Sequence, residues 1–407
     1  MNIAIIGLGY VGISLANVFS RKFEVIGFDV NEEKIQEYRN GIDRTQEVGE
    51  KVNQLGIMFT TEISDISTAD IIIVTVPTPT VNGMIDDSYV KKATKMIGEY
   101  MKKGAIVVYE STVYPLFTRE ECIPILEKVS GWKCGEEFSV GYSPERVNPG
   151  DKINTIQKIT KVVSGFDSKT LKVLEKVYGE VIENIYPVDS LEIAEACKIL
   201  ENSQRDLNIA LINQFSILFP DIGTNKVVEA MNTKWNSLGF KSGLVGGHCI
   251  AEDPYYLIYK TRTRGNKFTL LEEARYINDS VPKHIVSKTM ELLNKKHKAL
   301  SDSNIVVKGI TFKENCPDVR NSKIVEIIRL LKEQGANVFI IDPIADTKDL
   351  KTLYNLEVNT EEPVNTDAVI YAVAHDVFKN DTLVEDIAVI DVKSIFSRQK
   401  QELYYAL

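Results

Sequence analysis

Residues 2–12, Asn2-Ile3-Ala4-Ile5-Ile6-Gly7-Leu8-Gly9-Tyr10-Val11-Gly12, join a short apolar run directly to a G-x-G-x-x-G sequence, and few architectures can use such a junction. The apolar run has the character of a buried strand, Val11 to Ser20 continue with helical spacing, and a second strand, Phe23 to Phe28, ends in Asp29. A lone glycine triplet would be weak evidence. Strand, glycine turn, helix, second strand and an acid 22 residues after the first glycine together form the dinucleotide-binding fingerprint of a β-α-β unit. Gly7 makes the turn, Gly9 lets a pyrophosphate approach the helix N-terminus, and Gly12 packs helix on strand. Asp29 would accept the ribose 2′-hydroxyl and repel a 2′-phosphate, which favours NAD over NADP.

Three further apolar runs extend this sheet. Residues 69–76 lead into Pro77-Thr78-Pro79, Ala105 to Tyr109 deliver Glu110-Ser111-Thr112, and Phe138 to Tyr142 deliver Ser143-Pro144-Glu145-Arg146-Val147-Asn148-Pro149-Gly150. Near-continuous apolar strands fit a parallel sheet covered on both faces, and such sheets bind ligands at the carboxyl ends of their strands. Any one of these hydroxyls or acids could be a helix cap or turn former. Polar groups ending three strands together mark a ligand edge.

At 407 residues the chain is too long for one ordinary core, and two or three domains are expected. A net charge of −9 without any basic run argues against nucleic acid or an anionic membrane surface as the main partner. No apolar run approaches the ~20 residues a membrane helix needs. The sequence opens on a strand without a charged lead-in or a small-residue cleavage site, so no signal peptide is expected. Cys122, Cys134, Cys197, Cys249 and Cys316 are irregularly spaced with no C-x-x-C pair. The expectation is a reduced cytoplasmic chain with neither a disulfide framework nor a zinc site.

From Leu191 to about Leu218 runs a long helical pattern that would span roughly 42 Å, enough to connect two domains and offer a face to a second subunit. Lys198 and Asn202 lie one turn apart on it, as either solvated surface or a cation and amide suited to hold a developing alkoxide. Further on, Gly246-Gly247-His248-Cys249-Ile250-Ala251-Glu252-Asp253 sets a thiol on a glycine-loosened turn with carboxylates three and four residues later. Two glycines permit positive φ and close approach of another molecule, so the thiol can sit at a surface. A buried cysteine acting as a small hydrophobe is the plainer alternative.

The last third builds a second β-α-β unit: a strand over residues 304–313, a helix over about 322–335 and a strand over 337–341, extended by residues 368–372 and 388–392. It lacks the triple-glycine signature, and its first strand carries Lys313 and, seven residues later, Arg320, cations suited to phosphate oxygens. The fold expected is α/β, two Rossmann-like doubly wound domains (1–190 and 301–407) joined by a central helical domain (191–300) with the long helix and the thiol loop. Taking a primary alcohol to a carboxylate needs a nucleophile that a simple alcohol oxidation does not, since a thiolate captures the aldehyde before a second hydride leaves. The groups present therefore predict alcohol-to-acid oxidation with two NAD consumed.

The motifs Gly7–Gly12, Val76–Pro79, Glu110–Thr112, Ser143–Gly150, Ala194–Lys198 with Asn202, Gly246–Cys249, and Thr311–Lys313 through Arg320 resemble the nucleotide-sugar 6-dehydrogenases, the UDP-glucose/GDP-mannose dehydrogenase family, in the family's order. His248 and Asp253-Pro254-Tyr255-Tyr256 resemble the UDP-N-acetylhexosamine branch, and Asn232–Asn236 with Gly243–Val245 its N-acetylglucosamine or N-acetylgalactosamine enzymes. The resemblance implies Cys249 as nucleophile, Lys198 steadying the reacting oxygen, Asp253 as a base, and Thr112 and Glu145 positioning water and moving protons. It implies a UDP-sugar held by Glu145, Arg146, Val147, Lys198, Asn202, Arg205, Gly243, Phe312 and Lys313. For NAD it implies Gly7, Gly9, Tyr10, Val11, Gly12, Asp29, Lys34, Thr78 and Thr112, with Arg320 reaching over from a neighbouring subunit of a homodimer. No metal is implied, and the product would feed surface polysaccharide synthesis. Ala251-Glu252 departs from the family's more usual glycine-valine or alanine-valine, and Cys197 stands where alanine is common. UDP-glucose and UDP-N-acetylmannosamine remain alternative substrates. The β-hydroxyacid dehydrogenases also pair a Rossmann domain with a lysine and asparagine four apart, but they need neither Cys249 nor residues 304–395. A NAD-binding regulatory protein would give no NADH with any UDP-sugar.

Overall fold

The computed structural model describes residues 1–48, 51–81, 83–146, 155–247, 249–396 and 402–407, with no side-chain description at Val81. Val147, Asn148 to Gly150 and His248 lie outside the described residues. The first sheet comprises β1 (Asn2–Ile6), β2 (Glu24–Phe28), β3 (Ile57–Thr60), β4 (Ile71–Val74), β5 (Ile106–Tyr109), β6 (Ser139–Tyr142), β7 (Lys161–Gly165) and β8 (Ile185–Pro187). Its helices are α1 (Tyr10–Ser20), α2 (Glu32–Arg39), α3 (Ser88–Tyr100), α4 (Ile123–Ser130) and α5 (Ser168–Gly179). Then come α6 (Leu191–Leu218), α7 (Thr224–Met231), α8 (Asp253–Thr263) and α9 (Thr269–Lys295). The second sheet holds β9 (Asn304–Lys308), β10 (Asn337–Ile341), β11 (Ala368–Tyr371), β12 (Ala388–Asp391) and β13 (Tyr404–Ala406), with α10 (Ile324–Glu333) and α11 (Thr347–Tyr354).

The chain divides into two compact units, residues 1–201 with 255–266, and residues 202–254 with 267–407. In the first, the strand order is β8-β7-β6-β5-β4-β1-β2-β3, parallel except for the β6–β7 pair. Strand order reverses at β1 and β4, whose carboxyl ends carry Gly7 and Thr75, and such a switch point is where doubly wound sheets take ligands. Successive side chains alternate faces: Ala4, Ile6, Ile72 and Val74 enter one core, and Ile3, Ile5, Ile71 and Ile73 enter the other. Both faces are dry, which explains the near-continuous apolar runs.

The second unit has an all-parallel sheet in the order β10-β9-β11-β12-β13. That is the other common doubly wound order, with its switch point at β9 and β11. The strand expected over residues 304–313 stops at Lys308, because Gly309 turns at φ +89. Beyond that turn the chain forms a loop that carries Thr311-Phe312-Lys313 at the sheet edge. Among the described residues, no helix is long and apolar enough to cross a membrane.

Helix α6 covers the residues its pattern predicts, but its amphipathicity is inverted. Glu195, Lys198, Asn202, Asp206 and Asn213, spaced to share one face, are buried. Ile193, Leu200, Leu211 and Leu218, on the opposite face, are exposed.

A methyl at Gly309 would stand 2.5 Å from the Val373 Cβ at a left-handed φ. Gly309→Ala should therefore cost about 2–5 kcal/mol of stability in the second unit. Urea unfolding followed by the fluorescence of that unit would show it, and an unchanged midpoint would contradict this packing.

Candidate active site

The cofactor cradle belongs to the first unit. Gly7 takes φ +92, where an added Cβ would press on Val76 and the Thr75 carbonyl, and the Thr75 hydroxyl donates to the Gly7 carbonyl at 2.7 Å. A Cβ at Gly12 would lie 1.9 Å from the Gly7 carbonyl oxygen, so this glycine is fixed by contact of helix with turn. Gly9 is different: a Cβ there would meet nothing within 4 Å. It caps α1 without a side-chain hydrogen bond and without an acid in the first turn, so the space at Gly9 lies against a positive helix end that no acid of that turn offsets. That opening fits a pyrophosphate.

Asp29 is buried and already engaged. It accepts from the Leu8 amide (2.9 Å) and Lys34 Nζ (2.8 Å) through Oδ2, and from the Asn31 amide (2.9 Å) through Oδ1. Three of its roughly four acceptor positions are used, leaving one on Oδ1 for a ribose hydroxyl. The paired Lys34 also offsets its charge, so repulsion of a 2′-phosphate is weaker than a bare acid would give. Thr78 lies beyond β4, where its carbonyl accepts from the Tyr256 hydroxyl; Thr112, beyond β5, is half-buried. The Ser111 hydroxyl ties the two loops by donating to the Val76 carbonyl at 2.7 Å.

Lys198 is buried, and its Nζ donates to the Glu145 carbonyl at 2.7 Å. Burial raises the Glu145 carboxyl above the usual range, partly offset by Lys198, and its Oε1 is shielded with no hydrogen-bond partner among the described residues. Arg146 pairs with Glu201 on α6 at 2.9 Å. Behind this segment, the Lys161 ammonium meets Glu110 at 2.5 Å and the Pro144 carbonyl at 3.3 Å, and Tyr178 donates to Glu110 at 2.6 Å. Two lysines thus hold consecutive carbonyls, those of Pro144 and Glu145. Glu110 turns inward to this support and away from the ligand edge. Sequence spacing had no means of pairing Lys161 with Glu110 across 51 positions.

The thiol belongs to the second unit. Cys249 is exposed, and its carbonyl accepts from the Glu252 (3.1 Å) and Asp253 (2.8 Å) amides, which closes the turn into α8. Asp253 is buried and accepts from the Asn202 amide at 2.5 Å, while Arg205 lies 3.4 Å from the Asn202 oxygen. The neighbouring glycines do not leave open room as expected. A Cβ at Gly246 would stand 2.7 Å from the Asn321 carbonyl, and one at Gly247 2.9 Å from the Phe312 ring, so the molecule that approaches them is this chain itself. Only Gly247 takes positive φ.

Phe312 and Lys313 ride on a loop held by a buried histidine. His375 Nδ1 accepts from the Asn315 amide at 2.9 Å, and Nε2 faces Asp342 and the Thr311 hydroxyl, each at 3.2 Å. Lys313 stands 5.5 Å above the Phe312 ring. Gly243 exchanges hydrogen bonds with the Asn213 amide, and a Cβ there would lie 2.8 Å from Lys393 Nζ, a half-buried cation after β12 that the sequence did not single out. Burial lowers the Lys393 pKa, and Glu314 opposes that shift. Arg320 binds the Asp318 carboxylate through Nη2 at 2.6 Å and Nε at 3.0 Å.

A dinucleotide cradle, a second doubly wound sheet with cations at its carboxyl edge, and an exposed thiol on a fixed turn define an oxidoreductase of nucleotide-linked substrates. The chain matches the UDP-glucose/GDP-mannose dehydrogenase family along its length: the NAD binding domain over residues 1–182, the central domain over 192–280 and the UDP binding domain over 306–398. It belongs to that family and is an NAD-dependent UDP-sugar dehydrogenase. It is 46% identical to protein CapL of Staphylococcus aureus, covering 97% of this chain and 96% of that one. With the UDP-N-acetyl-D-glucosamine 6-dehydrogenase of Pseudomonas aeruginosa it shares 43% identity over 93% and 92%. Among solved structures, the UDP-D-ManNAc dehydrogenase of Pyrococcus horikoshii superposes with a TM-score of 0.89 at 27% identity, over 100% of this chain and 99% of that one.

The two glycines of the cradle separate folding from binding. Gly9→Ala should fold normally yet lose NAD affinity by roughly tenfold or more, since its methyl enters only the space for phosphate. Gly12→Ala should lower the unfolding midpoint as well. Calorimetric NAD titration beside thermal unfolding reads both; a Gly9→Ala variant that binds NAD normally would displace the pyrophosphate from this turn.

Proposed function

We propose that this chain oxidises C6 of a UDP-N-acetylhexosamine, of the UDP-N-acetylglucosamine or UDP-N-acetylgalactosamine type, to the uronic acid through a covalent Cys249 intermediate. The observation that carries this reading is an exposed thiol on a turn fixed at both ends, at Gly247 by hydrogen bonds with Asn321 and at Asp253 by Asn202. A redox-inert structural cysteine needs no such placement. The relatives named as N-acetylglucosamine enzymes, at 43% and 41% identity, support the N-acetylated sugar; those named as N-acetylmannosamine enzymes stand near 31%.

Bound NAD would supply the acceptor for each of two hydrides. Lys198 would leave the Glu145 carbonyl to hold the C6 oxygen as its charge develops. Cys249 would add to the aldehyde carbon, and loss of a second hydride would leave a thioester. Water, oriented by Thr112 and deprotonated by Glu145 or Asp253, would then cleave the carbon–sulfur bond and return the proton to the thiol. The balance is alcohol, two NAD⁺ and water to carboxylate, two NADH and three protons. Lys313, Arg205 and Lys393 would face the diphosphate, Gly9 and Asp29 the cofactor, and Arg320 a neighbouring subunit's cofactor.

The apolar stripe on α6 fits a second copy of this chain, and Trp235 and Leu238 add exposed apolar surface after α7. A homodimer in the cytoplasm, supplying a UDP-activated uronic acid to glycosyltransferases that build a surface polysaccharide, is the setting we propose.

Absorbance at 340 nm against UDP-sugar consumed should give two NADH per UDP-N-acetylglucosamine, with UDP-glucose turned over far more slowly. Cys249→Ser should form no acid while binding NAD normally. One NADH per sugar would remove the covalent route.

Turnover should also fall as the pH drops through the raised Glu145 pKa, because only the carboxylate can accept the water proton. Glu145→Gln should lower kcat by about a hundredfold and abolish that acid limb. The same limb in the glutamine variant would assign the base elsewhere.

A further inference from the structure

Asn321 comes directly after Arg320 and had no role in the sequence pattern. Its backbone is left-handed, φ +49, a conformation asparagine tolerates better than most residues. Its carbonyl accepts the Gly247 amide at 3.1 Å, and its side-chain amide donates back to the Gly247 carbonyl at 2.7 Å. This reciprocal pair grips the peptide two residues before Cys249. The second hydrogen of the same side-chain amide faces Glu252 Oε1 at 3.4 Å, so one asparagine reaches both sides of the thiol turn.

The platform beneath Asn321 is rigid. Its own amide donates to the Tyr354 hydroxyl at 2.9 Å, and two residues on, Lys323 pairs with Asp279 on α9 at 2.8 Å. Gly246 allows the approach, since any side chain there would collide with the Asn321 carbonyl. Glu252, the unusual acid beside the loop, thereby acquires a reason: it accepts the hydrogen that the Gly247 carbonyl leaves over.

We propose that Asn321 is a positioning residue that sets the Cys249 turn, with Glu252 as its second acceptor, so that the segment bearing Arg320 also fixes the place of the thiol. The role in turnover rests on the covalent reading above; the grip itself does not. A short rigid link of this kind matters because ~1 Å of misplacement at a reacting atom can lower the rate about a hundredfold.

Asn321→Ala and Asn321→Gly, made in the full chain, test it. Both remove the side-chain amide, and glycine also keeps the left-handed backbone free of strain. Both should lower kcat roughly ten- to a hundredfold with the KM for NAD unchanged. Both should speed hydrogen exchange over residues 244–253 while the unfolding midpoint stays within a few degrees. Glu252→Ala should give a smaller loss, and adding it to Asn321→Ala should cause little further loss. Wild-type kcat and exchange in both Asn321 variants would overturn the proposal. So would a normal Asn321→Gly beside an impaired Asn321→Ala, which would assign the effect to backbone strain. Faster exchange in a chain that oxidises no UDP-sugar would support the grip and overturn the functional reading.

Discussion

Helix α6 buries its polar face, and every one of those buried groups needs a partner. Leaving a buried polar group unmatched costs about 1–3 kcal/mol, and stranding one half of a buried ion pair about 3–5. Glu195 accepts the Leu116 and Thr118 amides, Lys198 donates to Glu145, and Asn202 donates to Asp253. Asp206 pairs with Arg275 and Asn278, and Asn213 with Gly243 and Asn278. Within the first unit α6 therefore holds the loop after β5 and the segment after β6, and within the second it holds the start of α8 and the glycine at 243. Lys198, proposed to steady the reacting oxygen, and Asn202, which donates to Asp253, belong to this buried stripe.

Close approach through glycine is the second device, used at three loops. Gly7 meets Thr75 and Val76, Gly246 and Gly247 meet Asn321 and Phe312, and Gly309 meets Val373. Gly7 and Gly309 each begin the loop after the first strand of a doubly wound sheet, at its switch point, although only the first sheet carries the phosphate-binding triplet. In the second sheet Asp342 accepts the Ile310 amide at 2.7 Å and faces His375, so a buried carboxylate and imidazole support the loop that glycines and Asp29 shape in the first. Burial favours the proton on Glu195, pushing it up to about 7, yet its two amide donors still hold the left-handed Leu116 turn.

Local patterns were legible in the sequence. The β1–α1–β2 fingerprint needs no distant information, and α6 spans Leu191 to Leu218 as its helical pattern predicts. The family and its cofactor also emerged from ordered motifs. What escaped were partners set by tertiary contact: Glu195 and Leu116 are 79 positions apart, Lys198 and Glu145 53, Asn202 and Asp253 51. Helix α9 has no clean apolar stripe in the sequence, because Arg275 and Asn278 are buried among its apolar residues. The strand from Asn304 is shorter than its apolar run, because apolar residues continue past Gly309, where a positive φ breaks it. Glu252 looked like an anomaly until Asn321 supplied its partner.

The proposed chemistry requires the sulfur of Cys249 to hold the substrate. Acid quenching of enzyme, NAD and UDP-N-acetylglucosamine within one turnover, with peptide mass spectrometry of the quenched protein, reads this directly. The account predicts a peptide carrying the UDP-N-acetylhexosaminuronyl group on Cys249, absent from Cys122, Cys134, Cys197 and Cys316. Free aldehyde in solution with every cysteine unmodified would contradict it.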